Sequence, residues 1–193
     1  KARLIEVEAP FGLSATKRFV EQVGRECGKQ VRATAFIKSE LSSLSPRLAW
    51  LGRNGIKGRR IAFAGDPHFS PGLAEMVEEQ GGRIFGMILT GMPRHLPESA
   101  QASLTARPNT AFAPLQHEVE KVWFRLSRKD ADLLVGSTMT VEFIRPEIPW
   151  LEFGYPSDYT HFLKDEPFLG FRGALGFLSR LALAANRGSV NRN

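Results

Sequence analysis

The sequence predicts an α/β fold in which a mostly parallel sheet lies between two layers of helices. Short apolar segments alternate with longer amphipathic segments, as in proteins whose parallel strands are joined by helices. Residues 60–65 form a nearly continuous apolar run, which is typical of a strand buried on both faces of a sheet. A segment with helical spacing follows and leads to a second such run at residues 83–90. Together these two runs and the segment between them predict a β–loop–α–β unit.

The first third of the chain carries one predicted strand and two predicted helices. Apolar and charged residues alternate over residues 3–9, which is a strand pattern. Thr16 is a candidate N-cap for a helix whose buried face includes Cys27 and which ends at Gly28. A second helical stretch covers residues 36–48, and we expect Pro46 to bend or restart it.

The polar, glycine-rich stretch at residues 52–60 is the best candidate for a domain boundary. We therefore predict part of a preceding α/β subdomain at residues 1–54 and a C-terminal domain at residues 55–193. In that second unit Ser70 is a candidate N-cap, Pro71 takes the first helical position, and Gly81 stops the helix. The remaining predicted strands are residues 83–90, 109–113, 132–136 and 149–154, and the remaining predicted helices lie near 98–104, at 115–126 and after Gly170.

Composition excludes several classes of protein. A chain of 193 residues with 42% hydrophobic and 24% charged residues has globular rather than disordered composition. No apolar run reaches the roughly 20 residues that a membrane span needs. The single cysteine excludes an internal disulfide framework and a zinc or iron–sulfur site built mainly from this chain's thiols. It also fits a reducing compartment, so we expect a cytoplasmic location.

The net charge of +6 is unevenly distributed. Residues 1–60 hold 13 Lys/Arg against 5 Asp/Glu, whereas residues 61–193 hold 13 against 15. The basic first third is consistent with a polyanionic partner, with a solvated surface, or with a face that meets an acidic neighbouring domain. A nucleic-acid partner is not expected, because no aromatic residues interleave with the basic cluster at residues 57–60.

The carboxyl ends of the parallel strands define the candidate site. Right-handed crossovers bring the loops after Gly65, Gly136 and Gly154 to one edge of the sheet, where open α/β sheets bind ligands. The first loop places Asp66 beside His68. That carboxylate either takes part in a site or pins the turn before the next helix.

Several nucleotide, hydrolytic and metal sites are excluded by the motifs around this edge. Pro67 and Pro71 remove two backbone amides that a phosphate cradle would need, and no GxxxxGK[ST] motif is present. Ser137 lacks the G-x-S-x-G context of a nucleophile elbow. The four histidines form neither an i,i+4 pair nor an HExxH motif, so a self-contained metal site is not expected.

Three segments in the same order resemble the nitrogenase component 1-type oxidoreductases. Residues 10–16, PFGLSAT, resemble a P-x-G-x-x-A/G-T entry to a helix, and residues 58–82 resemble that family's GKR-apolar-GDP unit. Residues 130–185 resemble its closing segment, with Ile148-Pro149, Gly154-Tyr155-Pro156 and a G-[FY]-x-G-A helix start at Gly170.

The resemblance implies a fold and an assembly. Members are similar in having three Rossmann-like αβα domains per subunit, with α-type and β-type subunits paired in a heterotetramer. A separate ATP-dependent iron–sulfur reductase supplies electrons to a cluster whose cysteine ligands lie mostly in the family's N-terminal domain. This chain has no counterpart to that domain, and Cys27 matches no ligand motif. The resemblance therefore implies a C-terminal part of a subunit, which binds no cofactor alone and does not carry out the reduction alone.

The turn at residues 154–156 indicates the type of subunit. Where the catalytic α type places a histidine ligand, this chain has Gly154-Tyr155, and the G-[FY]-P form is like the β type. In such a subunit Asp158 and His161, three residues apart, are candidates for proton delivery. Polar and aromatic groups at the same edge would orient a tetrapyrrole-like or cluster-bound substrate, and the candidates are Asp66, His68, Ser137 and Tyr155.

Two other functions stay open at this point. One is a stand-alone Rossmann-like module that binds a nucleotide or a metallocofactor precursor. The other is nucleic-acid binding, which rests only on the charge of residues 1–60.

Overall fold

A computed structural model describes residues 4–91, 98–107, 109–113, 116–125, 130–158 and 167–190 of the chain. The helices are α1 (Leu13–Glu26), α2 (Gln30–Leu51), α3 (Ser70–Glu79), α4 (Glu98–Thr105), α5 (Gln116–Arg125), α6 (Thr138–Ile144) and α7 (Gly170–Val190). The strands are β1 (Arg60–Gly65), β2 (Arg83–Leu89), β3 (Thr110–Phe112), β4 (Leu133–Gly136) and β5 (Trp150–Glu152). A π-helical turn, Gly52–Ile56, continues α2.

The five strands form one parallel sheet in the order β3-β2-β1-β4-β5. The chain moves outward from β1 through β2 to β3, returns to β4 beside β1, and then moves outward again to β5. The order therefore reverses between β1 and β4, where Ala64 is in register with Gly136. This confirms the predicted α/β class and parallel sheet, and it places a topological switch point at the centre of the sheet.

Side chains that alternate along the strands pack into two separate hydrophobic cores, as expected for a sheet covered on both faces. Ile61 and Phe63 of β1 point to the larger core, where α1, α2, α3 and α7 pack. Ala62 and Ala64 point to the smaller core, where α5 and α6 pack. The sequence spacing places these residues on the inner faces of α3 and α7, and the structure buries them: Leu73, Met76, Val77, Phe171, Ala174, Leu178 and Leu181. Leu175, expected on the same face of α7, is only partly buried.

The amino ends of β1 and β4 are joined by a charged cluster. The Arg60 backbone N–H donates to Asp132 Oδ2 at 2.9 Å, and its guanidinium contacts both Asp132 oxygens at 3.3 Å. The Asp132 N–H in turn donates to the Arg60 carbonyl at 2.7 Å. Burial works to raise the pKa of Asp132, but the hydrogen bonds and charge of Arg60 outweigh it and hold that pKa below its ordinary value.

The strand predicted at residues 3–9 is wrong over its described part, residues 4–9. These residues form no strand, and side chains of α1 bond to them instead. Arg18 of α1 bonds to Glu8 at 2.8 Å and to Glu75 of α3 at 2.8 Å, and Gln22 donates to the Glu6 carbonyl at 2.7 Å. The alternating pattern therefore belongs to a segment that is bonded to α1, whose Arg18 also reaches α3.

Three details of the first two helices also differ from the sequence predictions. Helix α1 begins at Leu13 with Gly12 as its N-cap, and Thr16 is a buried residue of the first turns whose Oγ1 donates to the Pro10 carbonyl at 3.0 Å. Cys27 is exposed, since it follows the last turn rather than facing the core. Helix α2 does not restart at Pro46, because the flanking Leu44 and Leu48 are anchored in the larger core.

Helix α3 was predicted almost correctly, apart from its cap. The N-cap is Phe69 and Ser70 is the first helical residue, with its hydroxyl donating to the Pro67 carbonyl at 2.7 Å. The division at residues 54/55 stays a proposal, and Leu51 and Ile56 on either side of it belong to the larger core. Among the described residues, no helix is long and apolar enough to cross a membrane.

Candidate functional site

Among the described residues, the loops that leave β1, β4 and β5 form the candidate site at the carboxyl edge of the sheet. Beneath them lies a cluster of phenylalanine rings. Phe11 and Phe153 stack with centroids 4.9 Å apart and planes 9° apart, and Phe177 of α7 meets Phe153 edge-on at 5.0 Å. Phe69 and Phe168 meet Phe153 at 5.5 and 5.7 Å. One aromatic floor therefore supports segments from five parts of the chain.

The segment before α1 meets the first turn of α3 by direct backbone contact. A Cβ on Gly72 would lie 2.0 Å from the Phe11 carbonyl oxygen, and a Cβ on Gly12 would lie 2.9 Å from that of Gly72. Gly12 also has φ of 99°, a conformation that L side chains rarely adopt. Only glycine fits at either position, so the loop after β1 is held against this segment.

The loop after β1 contains a local hydrogen-bonded pair. Asp66 Oδ1 accepts from the His68 backbone N–H at 2.7 Å and lies 2.7 Å from His68 Nδ1. Both side chains are about half exposed, at 54% for Asp66 and 43% for His68. The carboxylate thus pins the turn, one of the two alternatives that the sequence left open, while the imidazole stays accessible to solvent.

The loop after β4 is the N-terminus of α6, a helix that the sequence analysis missed. Ser137 is its N-cap: Oγ accepts from the Thr140 N–H at 3.2 Å and donates to Thr140 Oγ1 at 3.0 Å. The signal was present, because a serine directly precedes a run with Val141 and Ile144 at helical spacing. Ser137 is buried, so its hydroxyl serves the helix rather than facing solvent.

Thr138 ties the loop after β4 to the loop after β5. Its Oγ1 donates to Glu152 Oε1 and accepts from the Asp158 N–H at 2.8 Å, while its own N–H donates to the Pro156 carbonyl at 3.2 Å. Thr138 and Glu152 are 1% and 4% exposed, so this junction is closed to solvent. Arg180 of α7 adds a bond to the Glu152 carbonyl at 2.9 Å.

The junction presents an exposed aromatic residue and a carboxylate at its outer side. Tyr155 is 92% exposed, and Asp158 is exposed with its backbone N–H fixed by Thr138. Sequence reasoning named both residues and placed Thr138 in an edge loop, but it did not find the bonds that join Thr138, Glu152 and Arg180. A glutamate in the short buried strand β5 was the available signal, because a buried carboxylate needs donors.

The structure thus brings together three of the predicted site residues, Ser137, Tyr155 and Asp158, on two hydrogen-bonded loops. Asp66 and His68 lie on the neighbouring loop across the switch point, since β1 and β4 are adjacent. The predicted partner of Asp158, His161, lies outside the described residues.

The described residues do not fit a metal cluster. Among them, no group of three or more His, Cys, Asp or Glu side chains is arranged to hold a metal ion. The one cysteine of the chain is an exposed residue after α1.

The fold and this edge define a Rossmann-like αβα domain with an open carboxyl edge, and comparison with known proteins identifies the family. The family model for nitrogenase component 1 type oxidoreductases matches residues 1–186. The chain belongs to the nitrogenase component 1 type oxidoreductase family.

Curated relatives are beta chains of nitrogenase molybdenum-iron proteins. The chain is 26% identical over 180 residues to that of Clostridium pasteurianum, covering 91% of this chain and 38% of the relative. It is 26% identical over 188 residues to that of Frankia alni, covering 94% of this chain and 34% of the relative. The chain thus spans little more than a third of the length of these relatives.

Solved structures support the fold. A structure described as nitrogenase Cp1 at pH 6.5 superposes with a TM-score of 0.75 at 22% identity, covering 97% of this chain and 40% of that one. Another, nitrogenase Cp1 at pH 5, gives a TM-score of 0.67 at 13% identity.

Proposed function

We propose that this chain is the C-terminal part of a β-type subunit of a nitrogenase-like component 1 oxidoreductase. The family match over residues 1–186 and the beta-chain relatives support this assignment. The structural observation that supports this assignment is the junction of Thr138 and Glu152. It stabilises the loop at the carboxyl edge that carries Tyr155, whose side chain is 92% exposed. An edge that packs on a phenylalanine cluster and exposes an aromatic side chain suits contact with another domain or subunit.

The partners follow from the family. The chain would pair with an α-type component 1 subunit, and the assembly would take electrons from an ATP-dependent iron–sulfur reductase in the cytoplasm. The iron–sulfur cluster would belong to the parent assembly, because this chain has one cysteine and the described residues offer no metal-binding group.

This chain's own contribution would be orientation and proton supply. Tyr155 and the loop of Asp66 and His68 would contact the substrate or the facing domain. Asp158, whose backbone is fixed by Thr138, would hold a carboxylate at the edge, and His161 would exchange protons with it. Ser137 would stabilise the N-terminus of α6, since its hydroxyl accepts the Thr140 N–H there.

The test is co-purification of the parent protein with an α-type component 1 subunit, together with ATP-dependent electron uptake from a reductase. The parent reading frame is expected to extend upstream with several cysteine codons. Tyr155→Ala is expected to weaken the complex at least about tenfold, as for a central aromatic anchor, while leaving the free chain folded. Val31→Ala, at an 84% exposed position on α2, is the matched control and should change nothing.

The stand-alone binding module is the alternative function. A parent frame that begins at residue 1 and a chain that binds no α-type subunit would contradict the proposal and favour that module. A rise in melting temperature with a nucleotide, in the chain alone, would then be its positive evidence.

A further inference from the structure

Helix α2 is mostly exposed for a helix of its length. Of its 22 residues only four, Ile37, Leu44, Leu48 and Leu51, are buried. A helix at the surface of a globular domain usually buries a broader apolar face. Much of its circumference is therefore available to another molecule.

One side of this open circumference carries alternating arginines and aromatic rings. Arg32, Phe36, Arg47 and Trp50 are spaced i, i+4, i+15 and i+18, which brings them to the same side of a helix with 3.6 residues per turn. We name these four residues the α2 stripe. Phe36 is 50% and Trp50 58% exposed, and both arginines are exposed. Arginine and tryptophan are the residue types that most often dominate protein–protein contacts.

The stripe lies in a strongly cationic part of the chain. No carboxylate occurs between Glu40 and Asp66. Glu40 itself binds Arg172 of α7 at 3.3 Å. In the described part of the chain, no ion pair within 4 Å is formed by the cations of this region, which are Arg25, Lys29, Arg32, Lys38, Arg47, Arg53, Lys57 and Arg59.

Contacts with α7 fix the stripe on one side. The Phe36 ring lies 6.2 Å from that of Phe171, and the Glu40–Arg172 pair lies one turn further along α2. The helix is therefore positioned by packing while the arginines stay free to meet an incoming group. A preformed surface of this kind loses little conformational entropy when it binds.

We propose that the α2 stripe docks an acidic protein partner, which presents carboxylates to Arg32 and Arg47 and apolar side chains to Phe36 and Trp50. Carboxylates match the planar guanidinium fork of arginine. A second copy of this chain meeting the same stripe would place arginine against arginine, which disfavours self-association. Single-stranded nucleic acid is disfavoured too, because the rings are about 21 Å apart along the helix, too far to stack successive bases.

The probe is a fluorescein-labelled helical peptide of about 20 residues, roughly 30 Å long, with glutamate at most positions and leucine at every third or fourth. Its binding to the full 193-residue chain is measured by fluorescence anisotropy at low salt. The same peptide with glutamine for glutamate and a single-stranded DNA of matching charge are run in parallel. The proposal predicts that the acidic peptide binds more tightly than both.

Two charge-reversed double variants distinguish binding at the α2 stripe from long-range attraction by net charge. R32E/R47E is expected to weaken peptide binding at least about tenfold, because buried or central charge pairs are costly to reverse. K38E/K57E makes the same change in net charge at exposed positions off the stripe, and should weaken binding no more than about threefold through long-range attraction alone. Trp50→Ala should cost at least about fivefold, as for an interface anchor.

Circular dichroism and a melting curve of each variant first establish that it is folded. Equal losses in both double variants would overturn the proposal, because binding would then follow net charge alone. Tighter binding of the DNA, lost in R32E/R47E, would overturn it in favour of a nucleic-acid surface. A dimer in sedimentation that R32E/R47E abolishes would overturn it in favour of a second copy of the chain.

Discussion

The two ends of the same pair of strands, β1 and β4, are built in opposite ways. At the amino ends, Arg60 and Asp132 are joined by side-chain and backbone hydrogen bonds that close this end of the two strands. At the carboxyl ends the strands finish at Gly65 and Gly136, and their loops bond to other loops. Hydrogen-bonded charges join β1 and β4 at one end of the sheet, whereas packed phenylalanine rings hold the loops at the other end.

The amino end of the sheet contributes to stability, whereas the carboxyl end carries the candidate functional site. The amino end places a charged pair where it joins two strands. The carboxyl end places its polar side chains where the strand order reverses, which is the position of ligand sites in open α/β sheets. Substitutions at the two ends should therefore be distinguishable by stability and by partner binding.

The largest expected effect is from removal of a ring in the aromatic floor. Phe153→Ala deletes the ring that contacts four other phenylalanines, and we expect it to lower the free energy of unfolding by about 3–5 kcal/mol. Urea denaturation measures this loss. Phe143→Ala is the matched control, since that ring is 45% exposed and its removal should cost less than about 1 kcal/mol. Similar losses in both variants would mean that the loops do not depend on the floor.

A smaller effect is expected at the amino end, and it depends on pH. Asp132→Asn should cost about 1–3 kcal/mol at neutral pH, because a charge-assisted hydrogen bond becomes a neutral one. The pKa of Asp132 is lowered by folding, so its ionised form stabilises the fold above the ordinary value of 3.8, and this contribution is lost as pH falls through the lowered pKa.

Urea denaturation at neutral pH and in acid checks this prediction. The difference between wild type and Asp132→Asn should shrink below about pH 4. Asp130→Asn is the control, because its carboxylate is 51% exposed and 3.6 Å from Arg60, and it should cost less than about 1 kcal/mol. A difference that is constant with pH would show that the carboxylate charge does not stabilise this end.

The smallest global effect is expected from the junction after β4 and β5. Thr138→Val keeps the shape of the side chain but removes the hydroxyl between Glu152 and the Asp158 N–H, which should cost about 1–2 kcal/mol. Hydrogen exchange should show the loss concentrated in residues 154–158. Asp66→Asn, on an exposed loop, should leave exchange in those residues unchanged. Exchange that rises evenly over the whole sheet in Thr138→Val would contradict a local role.

Periodicity predicted the sheet and most helices, because burial imposes it. The runs at β1 and β2 are apolar since both faces of the strands are covered, and the spacing in α3 and α7 follows the larger core. The alternation at residues 4–9 does not correspond to a strand, since these residues bond to side chains of α1. Cys27 was expected on the buried face of α1, but it follows the last turn of that helix and no longer continues the face.

Sequence reasoning predicted some residues of the candidate site but not the hydrogen bonds that join its loops. Asp66, Ser137, Tyr155 and Asp158 were predicted because they follow strand ends, which the pattern locates. The pairing of Thr138 with Glu152 was not predicted because it joins the start of α6 to the end of β5 across 14 residues and depends on the register of β4 with β5. No local pattern carries that information.

The contact between Gly12 and Gly72 has a consequence for how such sequences diverge. Each glycine leaves space for the backbone of the other segment, so a side chain gained at one position cannot be accommodated while the other segment stays in place. The two short motifs that contain them are sixty residues apart in the chain, yet they are the two halves of one contact. Selection would therefore act on the pair as a single heritable character.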